Sequence, residues 1–588
     1  MAKIYKSLAR LLDLISKSEE IHMITMKKVA GLLSAVSVAF VLSCAPASND
    51  DSEIKAAPLT ATERLIDFDT AVSYFNTYYA PLKFKEKRFG FDFNAFAADL
   101  RQEVINAESD QQFYDILQRL TGVMEDGHVS IRFPDSVTYT VPFVLDYFEG
   151  RYFVVEVDEE FGKQNGISEK DELVLIDGEV PGVAAAQIKD RVAFGYELSD
   201  NRLAAYLLTK RRNLKPQSNQ VVFKFLKHET NDEYFVNTFW NETRGGVFSL
   251  DNETFTPAKL VSNTVLGIGK MGDEAPFFMT PQVMSSSAFI DATISLDEWK
   301  AAGNEFVPYE VYAKLYKHND KFVLMVRIPS YGIAPITYDG AQLSFEQETK
   351  RRVDSFEFIL RKYESFADVL VIDQTHNPGG SVSYVEQLAG LFMEKRGFGF
   401  GFSPRADRLW LRALNNWPGF DQLSQSEQNF WTNVYQEIDL AHERGDFLGP
   451  QIPLTSISTS IEGKKAWSKP ILLLIDELCG SGGDAFPLIM KGNKAAVLWG
   501  HRTGGLGGNV EALPQLTHSG ASIRLTRSLF YLATEDAKIP EDEKQVENNG
   551  VTPDVDRTYG IEDMYDGYVT YFKDFSDFAV GLVNGDVE

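Results

Sequence analysis

The stretch Ile471-Leu-Leu-Leu-Ile-Asp-Glu-Leu-Cys-Gly-Ser-Gly-Gly-Asp-Ala-Phe-Pro487 decides the fold. Its first five residues are apolar without alternation, the pattern of a strand covered on both faces. A turn of small residues follows, and then an apolar stretch that predicts a helix. Ser481 stands at the corner. Such a corner lifts a hydroxyl above a sheet and beside the positive end of a helix. Gly480, Gly482 and Gly483 supply the backbone freedom a tight corner needs. Taken alone, the serine is either a nucleophile awaiting a base or a cap on a glycine-rich turn. A phosphate-cradling loop is disfavoured, because no Gly-Lys-Ser/Thr follows.

Working outward, Val369-Leu-Val-Ile-Asp373 and Ala495-Ala-Val-Leu-Trp-Gly500 repeat the near-continuous apolar run. Three such runs with helical stretches between them predict a parallel sheet in an α/β domain over 320–588. Residues 59–139 read as mostly helical. Ser109-Asp-Gln-Gln112 has the form of a capping box, and Phe113, Ile116, Leu117 and Leu120 share one helical face. Residues 140–243 read as strands, with Tyr152-Phe-Val-Val-Glu-Val157 and Val221-Val-Phe-Lys-Phe225 among them. Gly166-Ile-Ser-Glu-Lys-Asp-Glu-Leu-Val-Leu-Ile-Asp-Gly178 is an alternating segment closed by an Asp-Gly turn. Residues 244–319 carry no pattern and are left as a connecting region. The stretch after 560 is aromatic and predicts a helix.

Three further motifs bear on chemistry. Glu125-Asp126-Gly127-His128-Val129-Ser130-Ile131 is a turn feeding a short strand, with a histidine at its mouth. Histidine is the commonest base near neutral pH, so His128 is a candidate, with His376, His501 and His518 as competitors. Asp373-Gln-Thr-His-Asn-Pro-Gly-Gly380 ends a strand in paired glycines. Bare N–H groups there suit an oxyanion, each well-aimed donor contributing roughly 2.7–4 kcal/mol. Val546-Glu-Asn-Asn-Gly-Val-Thr-Pro-Asp554 is a turn-rich segment whose Glu547 is a candidate orienter of a histidine.

The order of these pieces is more specific than any one of them. An Asp-Gly-His precedes the strand-rich segment; an Asp-x-x-x-Asn-x-Gly-Gly, a serine turn, Thr503-Gly504-Gly505 and an Asn-x-Gly-Val-x-Pro-Asp follow. The chain resembles the C-terminal processing (tail-specific) peptidases and the tricorn core protease. That resemblance implies a ClpP/crotonase-like β-α core, an N-terminal helical segment and an inserted PDZ-like β domain that binds extended peptide. In the C-terminal processing branch a lysine stands 25 positions after the serine; here that position is Leu506. The tricorn-like branch instead takes its base from the first segment. On that branch Ser481 is the nucleophile, His128 the base and Glu547 its support. Gly379 or Gly380, with Gly482, forms the oxyanion hole. Some tricorn-like members carry a serine just before the histidine; here it is Gly127, which makes Asp126 a rival orienter. The implied function is an exported serine peptidase. A non-catalytic peptide- or lipid-binding protein on the same fold, and an esterase, are the alternatives.

Composition sets the surroundings. Of 588 residues 44% are apolar, enough for more than one core, and the net charge of −26 disfavours nucleic acid and anionic membrane faces as partners. The two cysteines rule out a disulfide framework. Met26-Lys27-Lys28, the apolar run 29–42 and Ser43-Cys44-Ala45 predict a secretory leader over 1–44. Val41-Leu42-Ser43-Cys44 is similar to a bacterial lipobox, which implies lipidation of Cys44, a tether over 45–58, and residence in the periplasm or on the outer membrane. Peptide or protein is the expected substrate. No metal or other cofactor is implied, because the Cys/His spacing of a metal site is absent.

Overall fold

The computed structural model describes residues 58–586, apart from 135–136, 213–215, 217, 245–274, 335, 339–340, 411, 413–419, 454–459 and 533–543. The expected leader, Cys44 and nearly all of the tether lie outside the described residues.

A seven-stranded sheet forms the centre. Its order is Phe289–Asp291, Ala313–His318, Lys321–Arg327, Val369–Asp373, Ile471–Ile475, Val497–Gly500 and Val555–Asp556. The strands from Lys321–Arg327 onward run parallel, and the first two are an antiparallel edge. The apolar runs divide their side chains by period two. Leu473, Ile475, Leu370 and Ile372 pack against Val353, Phe356, Val385, Leu388, Phe486 and Ile489 of the helices Phe345–Tyr363, Val382–Gly390 and Gly482–Gly492. Leu472, Leu474, Val369 and Val371 pack on the opposite face against Tyr571, Phe572 and Phe575 of the helix Val569–Asn584. A strand covered on both faces needs apolar residues at every position, which is why these runs are unbroken. The antiparallel edge begins at Phe289, inside the region that showed no pattern. Phe289–Asp291 is three residues long and mostly exposed, too short to carry a readable period.

A second, five-stranded antiparallel sheet has the order Phe143–Phe148, Arg151–Val157, Glu172–Ile176, Gln220–Leu226, Glu233–Phe239. Asp177 and Gly178 both take positive φ, 51° and 87°, in a tight turn closed by a bridge between Ile176 and Glu179, the handedness that Asp-Gly favours. The helix Glu197–Leu207 covers the sheet.

The N-terminal helices Ala61–Tyr78, Leu82–Phe89, Phe93–Asn106 and Asp110–Gly122 share a core with Leu513, Leu516, Ile523 and Leu525. The strand Ser130–Arg132 pairs antiparallel with Ser522–Thr526. This docking carries the first segment of the chain to its last third. Ser109 caps its helix through the N–H of Gln112, but the Gln112 side chain accepts from Glu108, so the box is only half closed.

Candidate active site

Ser481 immediately precedes the helix Gly482–Gly492, at its N-cap position, with φ 56° and ψ −112°. A residue with a side chain costs about 1–3 kcal/mol in such a conformation. Its backbone carbonyl accepts from Asp484 at 3.0 Å and Ala485 at 2.9 Å, so the helix starts normally. The hydroxyl does not cap it. Ser481 is also partly exposed, while the residues from Gly482 to Met490 are buried. The plain reading of a capping serine therefore fails, and the hydroxyl is uncommitted.

The helix is tied to the neighbouring strand end. Pro487 has no N–H for the carbonyl of Gly483, four residues back. Gln374 Nε2 donates to that carbonyl instead, at 2.9 Å, and Gln374 Oε1 accepts from Tyr331 Oη at 2.8 Å. Gln374 belongs to the motif that ends in Gly379-Gly380. Those glycines have φ of 94° and 144°. A Cβ on Gly379 would lie 2.4 Å from Gly482 N and 2.7 Å from Ser481 Cβ; one on Gly380 would lie 2.1 Å from the Tyr331 carbonyl carbon. Only glycine fits at either place.

The three expected oxyanion donors are not equivalent. The Gly379 N–H donates to Asn377 Oδ1 at 2.8 Å, so it is engaged. The N–H groups of Gly380 and Gly482 have no acceptor among the described residues. They are neighbours, since a Cβ on Gly482 would lie 3.1 Å from Gly380 N. Two bare donors beside a strained serine at a helix N-terminus suit a developing negative charge.

His128 is 2% exposed. Its backbone N–H donates to Asp126 Oδ1 at 2.8 Å, and its carbonyl accepts from Arg524 Nε at 3.2 Å. The ring Nδ1 is buried and has no hydrogen-bond partner among the described residues. Burial pushes the imidazole down to about 4; Asp126 opposes this, while Arg524 and Lys85 add to it. The Asp126 carboxylate accepts from the hydroxyls of Tyr79 at 2.9 Å and Thr526 at 2.7 Å. Burial would raise Asp126, but Lys85, His128 and these hydrogen bonds outweigh it and hold the group below the usual aspartate range.

Glu547 is fully buried, accepts from the Gly507 N–H at 2.8 Å and is ion-paired with Lys85. Burial and the nearby Asp126 charge push it up to about 7, against the pull of Lys85 and the Gly507 N–H. Neither Glu547 nor Asp126 hydrogen-bonds to the His128 ring.

The serine and histidine turns meet across Leu506. A Cβ on Gly127 would lie 3.0 Å from a Leu506 methyl, and one on Gly480 would lie 3.3 Å from both methyls. No hydrogen bond joins Ser481 Oγ to His128. The turn bearing Leu506 is held by Asp484, three residues past the serine. Asp484 accepts from Thr503 Oγ1 at 2.5 Å, Gly505 N at 2.8 Å and Leu506 N at 2.9 Å. Burial nonetheless raises Asp484 to about 6.

The competing histidines are placed elsewhere. His376 is paired with Asp476 and packs against Phe277 and Tyr559. His501 bonds Tyr196 at 2.5 Å and Asp556 at 2.8 Å, and His518 lies 3.7 Å from Glu63. Asp373 is paired with Arg327 and accepts from Thr375, so it builds the strand end.

Residues 325–557 match the family model described as peptidase family S41. Over this stretch the chain is similar to peptidase family S41, and the match supports a serine-type peptidase. Ser481, Gly379 and Gly380 fall inside the matched S41 region, as does Glu547; His128 lies outside it. A protein of Chlamydia pneumoniae is 25% identical over 564 residues, spanning 86% of this chain and 88% of its own length. One of Chlamydia trachomatis serovar D is 23% identical over 603 residues, spanning 91% and 95%. The structure of mature CPAF superposes with a TM-score of 0.68 at 21% identity, covering 90% of this chain and 99% of that one. At that identity the likeness is one of fold, and it extends beyond the S41 region to the N-terminal segment.

Sequence reasoning missed Lys85, Tyr79, Thr526 and Asp484. Lys85 sits in Leu82-Lys-Phe-Lys-Glu-Lys-Arg-Phe89, where four basic residues look like a solvated face. The one signal was spacing: Leu82, Lys85 and Phe89 share a helical face, and Lys85 lies between two apolar residues on it.

Proposed function

We propose that this chain is an exported serine peptidase in which Ser481 is the nucleophile and His128 the general base. The observation that carries the reading is the strained, uncapped and partly exposed Ser481 beside the two bare N–H groups of Gly380 and Gly482. Its substrates are peptides or proteins, as the S41 domain implies.

On this reading substrate closes the gap between the two turns. Catalytic hydrogen bonds tighten in the Michaelis complex. His128 is neutral at neutral pH and takes the Ser481 proton as Oγ attacks the scissile carbonyl. The Gly380 and Gly482 N–H groups hold the oxyanion. The imidazolium then protonates the leaving amine, and water releases the acyl group by the reverse sequence. The Asp126 carboxylate favours the imidazolium electrostatically, and Glu547 acts at longer range through the same charge cluster.

Leu506 in the position of the dyad lysine supports the tricorn-like branch. The five-stranded sheet with its covering helix supports a PDZ-like domain that feeds extended peptide to the site by strand addition. Cys44 is the proposed lipid attachment point in a bacterial envelope.

A fluorophosphonate probe tests the reading, because only an activated serine reacts. The expected result is labelling confined to Ser481, lost in Ser481→Ala, together with peptide turnover. Turnover of esters but not peptides would reassign the protein as an esterase. Absence of both labelling and turnover would favour a binding protein on this fold.

A further inference from the structure

We propose that Lys85 is a positioning residue of the peptidase site, a buried ammonium that locks the turn carrying His128 to the turn carrying Glu547. The inference rests on the roles given above to Ser481 and His128.

Lys85 projects from the helix Leu82–Phe89 and is completely buried. The ammonium donates to Asn548 Oδ1 at 2.5 Å and to the Glu125 carbonyl at 2.9 Å, and it is ion-paired with the Glu547 carboxylate. Glu547 and Asn548 lie on the turn after Val546, and Glu125 lies at the start of the Asp126-Gly127-His128 turn. Asn548 Nδ2 completes the bridge by donating to the same Glu125 carbonyl at 2.9 Å.

The backbone shows what this bridge holds. Glu125 has φ 45° and Asn548 has φ 52°, both in the left-handed region that side chains disfavour. Each turn departs from ordinary geometry at the residue that Lys85 grips. The Glu125 kink aims the next three residues toward Leu506 and the serine turn. A hydrophobic residue would fill the same space with less desolvation cost. What the ammonium adds is directional: it fixes a carbonyl, an amide and a carboxylate from chain segments more than 400 positions apart.

The ammonium also belongs to the charge cluster around the base. The titratable groups about it are Glu547, Asp126, Glu125, Tyr79, His128, Arg88 and Arg524. Its positive charge disfavours protonation of His128. Removing it therefore moves the acid limb of kcat/KM to higher pH, a change that a merely structural residue would not produce.

The test uses the full chain. Lys85→Met keeps most of the stem and removes the charge; Lys85→Ala opens a space that propylammonium matches atom for atom. The expected result for Lys85→Met is a fall in kcat/KM of about 10²-fold, the scale of an ångström-level misplacement. Its acid limb moves upward and Ser481 still labels, more slowly. Lys85→Ala regains activity saturably with propylammonium and not with propanol. A Lys85→Met enzyme with wild-type kcat/KM and acid limb would overturn the assignment. So would a folded Lys85→Ala that ignores the amine. Failure of Lys85→Met to fold would reduce Lys85 to structural support and overturn it equally. Wild-type protein that the fluorophosphonate leaves unlabelled would instead remove the Ser481 reading beneath it.

Discussion

Gly379→Ala isolates how closely the serine turn is fitted to its neighbour. The added methyl would sit 2.4 Å from Gly482 N, 2.5 Å from Gly480 O and 2.7 Å from Ser481 Cβ. Ordinary contact is about 3.5–4.0 Å. The nearest atoms are backbone on both sides of Ser481, so no flexible side-chain end can give way. Relief requires the two turns to part by roughly 1 Å, and a misplacement of that size costs about 10²-fold in rate. A left-handed alanine adds roughly 1–2 kcal/mol of instability. Gly445→Ala separates these effects. Gly445 ends the helix Gln425–Arg444 at φ 78° with nothing within 4 Å of its added Cβ. It should show the stability loss without the rate loss. The assay pairs thermal unfolding with kcat/KM and the rate of fluorophosphonate labelling. If Gly379→Ala labelled Ser481 at a rate within threefold of wild type, the close fit of these turns would not matter to catalysis, and the oxyanion geometry built on it would fall.

Ser481→Ala should abolish turnover and labelling with unchanged unfolding temperature, since its hydroxyl makes no hydrogen bond among the described residues; retained activity in a clean preparation would refute the nucleophile. His128→Ala should cost a comparable factor, because members of one catalytic unit are not additive, and steady-state kinetics on a peptide reads it. His128 is held near 4, below its unfolded value of 6.5, so the base stays neutral down to mildly acid pH and activity falls as pH drops through that lower value. By the same sign, its contribution to stability is present above about 6.5 and is lost as pH falls toward 4; an acid limb of kcat/KM at 6.5 or above would refute the assignment. Gln374→Leu leaves the Gly483 carbonyl without its donor, which should cost about 1–3 kcal/mol by denaturant unfolding; a neutral result would mean the Pro487 gap is closed otherwise.

The parallel sheet was legible because strands covered on both faces write their burial into every position. Leu472 and Leu473 face opposite cores, yet both must be apolar, so the run from Ile471 shows no period. The serine corner was legible for a related reason. A strand, a glycine cluster and an apolar helix follow one another locally, and no distant partner is needed to see them. The edge at Phe289–Asp291 was hidden because an exposed three-residue strand differs little in composition from a loop. The histidine turn could be found only as a motif. Its relation to Ser481 depends on the N-terminal helices docking on Ile523 and Leu525, and nothing local to Gly127 encodes that contact.

Lys85 shows where local reading stops. It lies among Lys83, Lys87 and Arg88, and its composition argues for solvent. Only folding distinguishes it, by placing Glu547, Asn548 and the Glu125 carbonyl around one of four similar cations. The same placement separates it from the lysine of a serine–lysine dyad. A dyad base must offer its nitrogen to the serine, whereas Lys85 Nζ donates to Asn548 and the Glu125 carbonyl and is ion-paired with Glu547. The methyls of Leu506 fill the space between the Gly127 and Gly480 turns. A neutral histidine beside an apolar leucine and a fixed, ion-paired ammonium beyond it are two parts of one electrostatic arrangement. Burial is the main cause that keeps His128 unprotonated, the cation adds to it, and the cation is engaged too fully to replace the base.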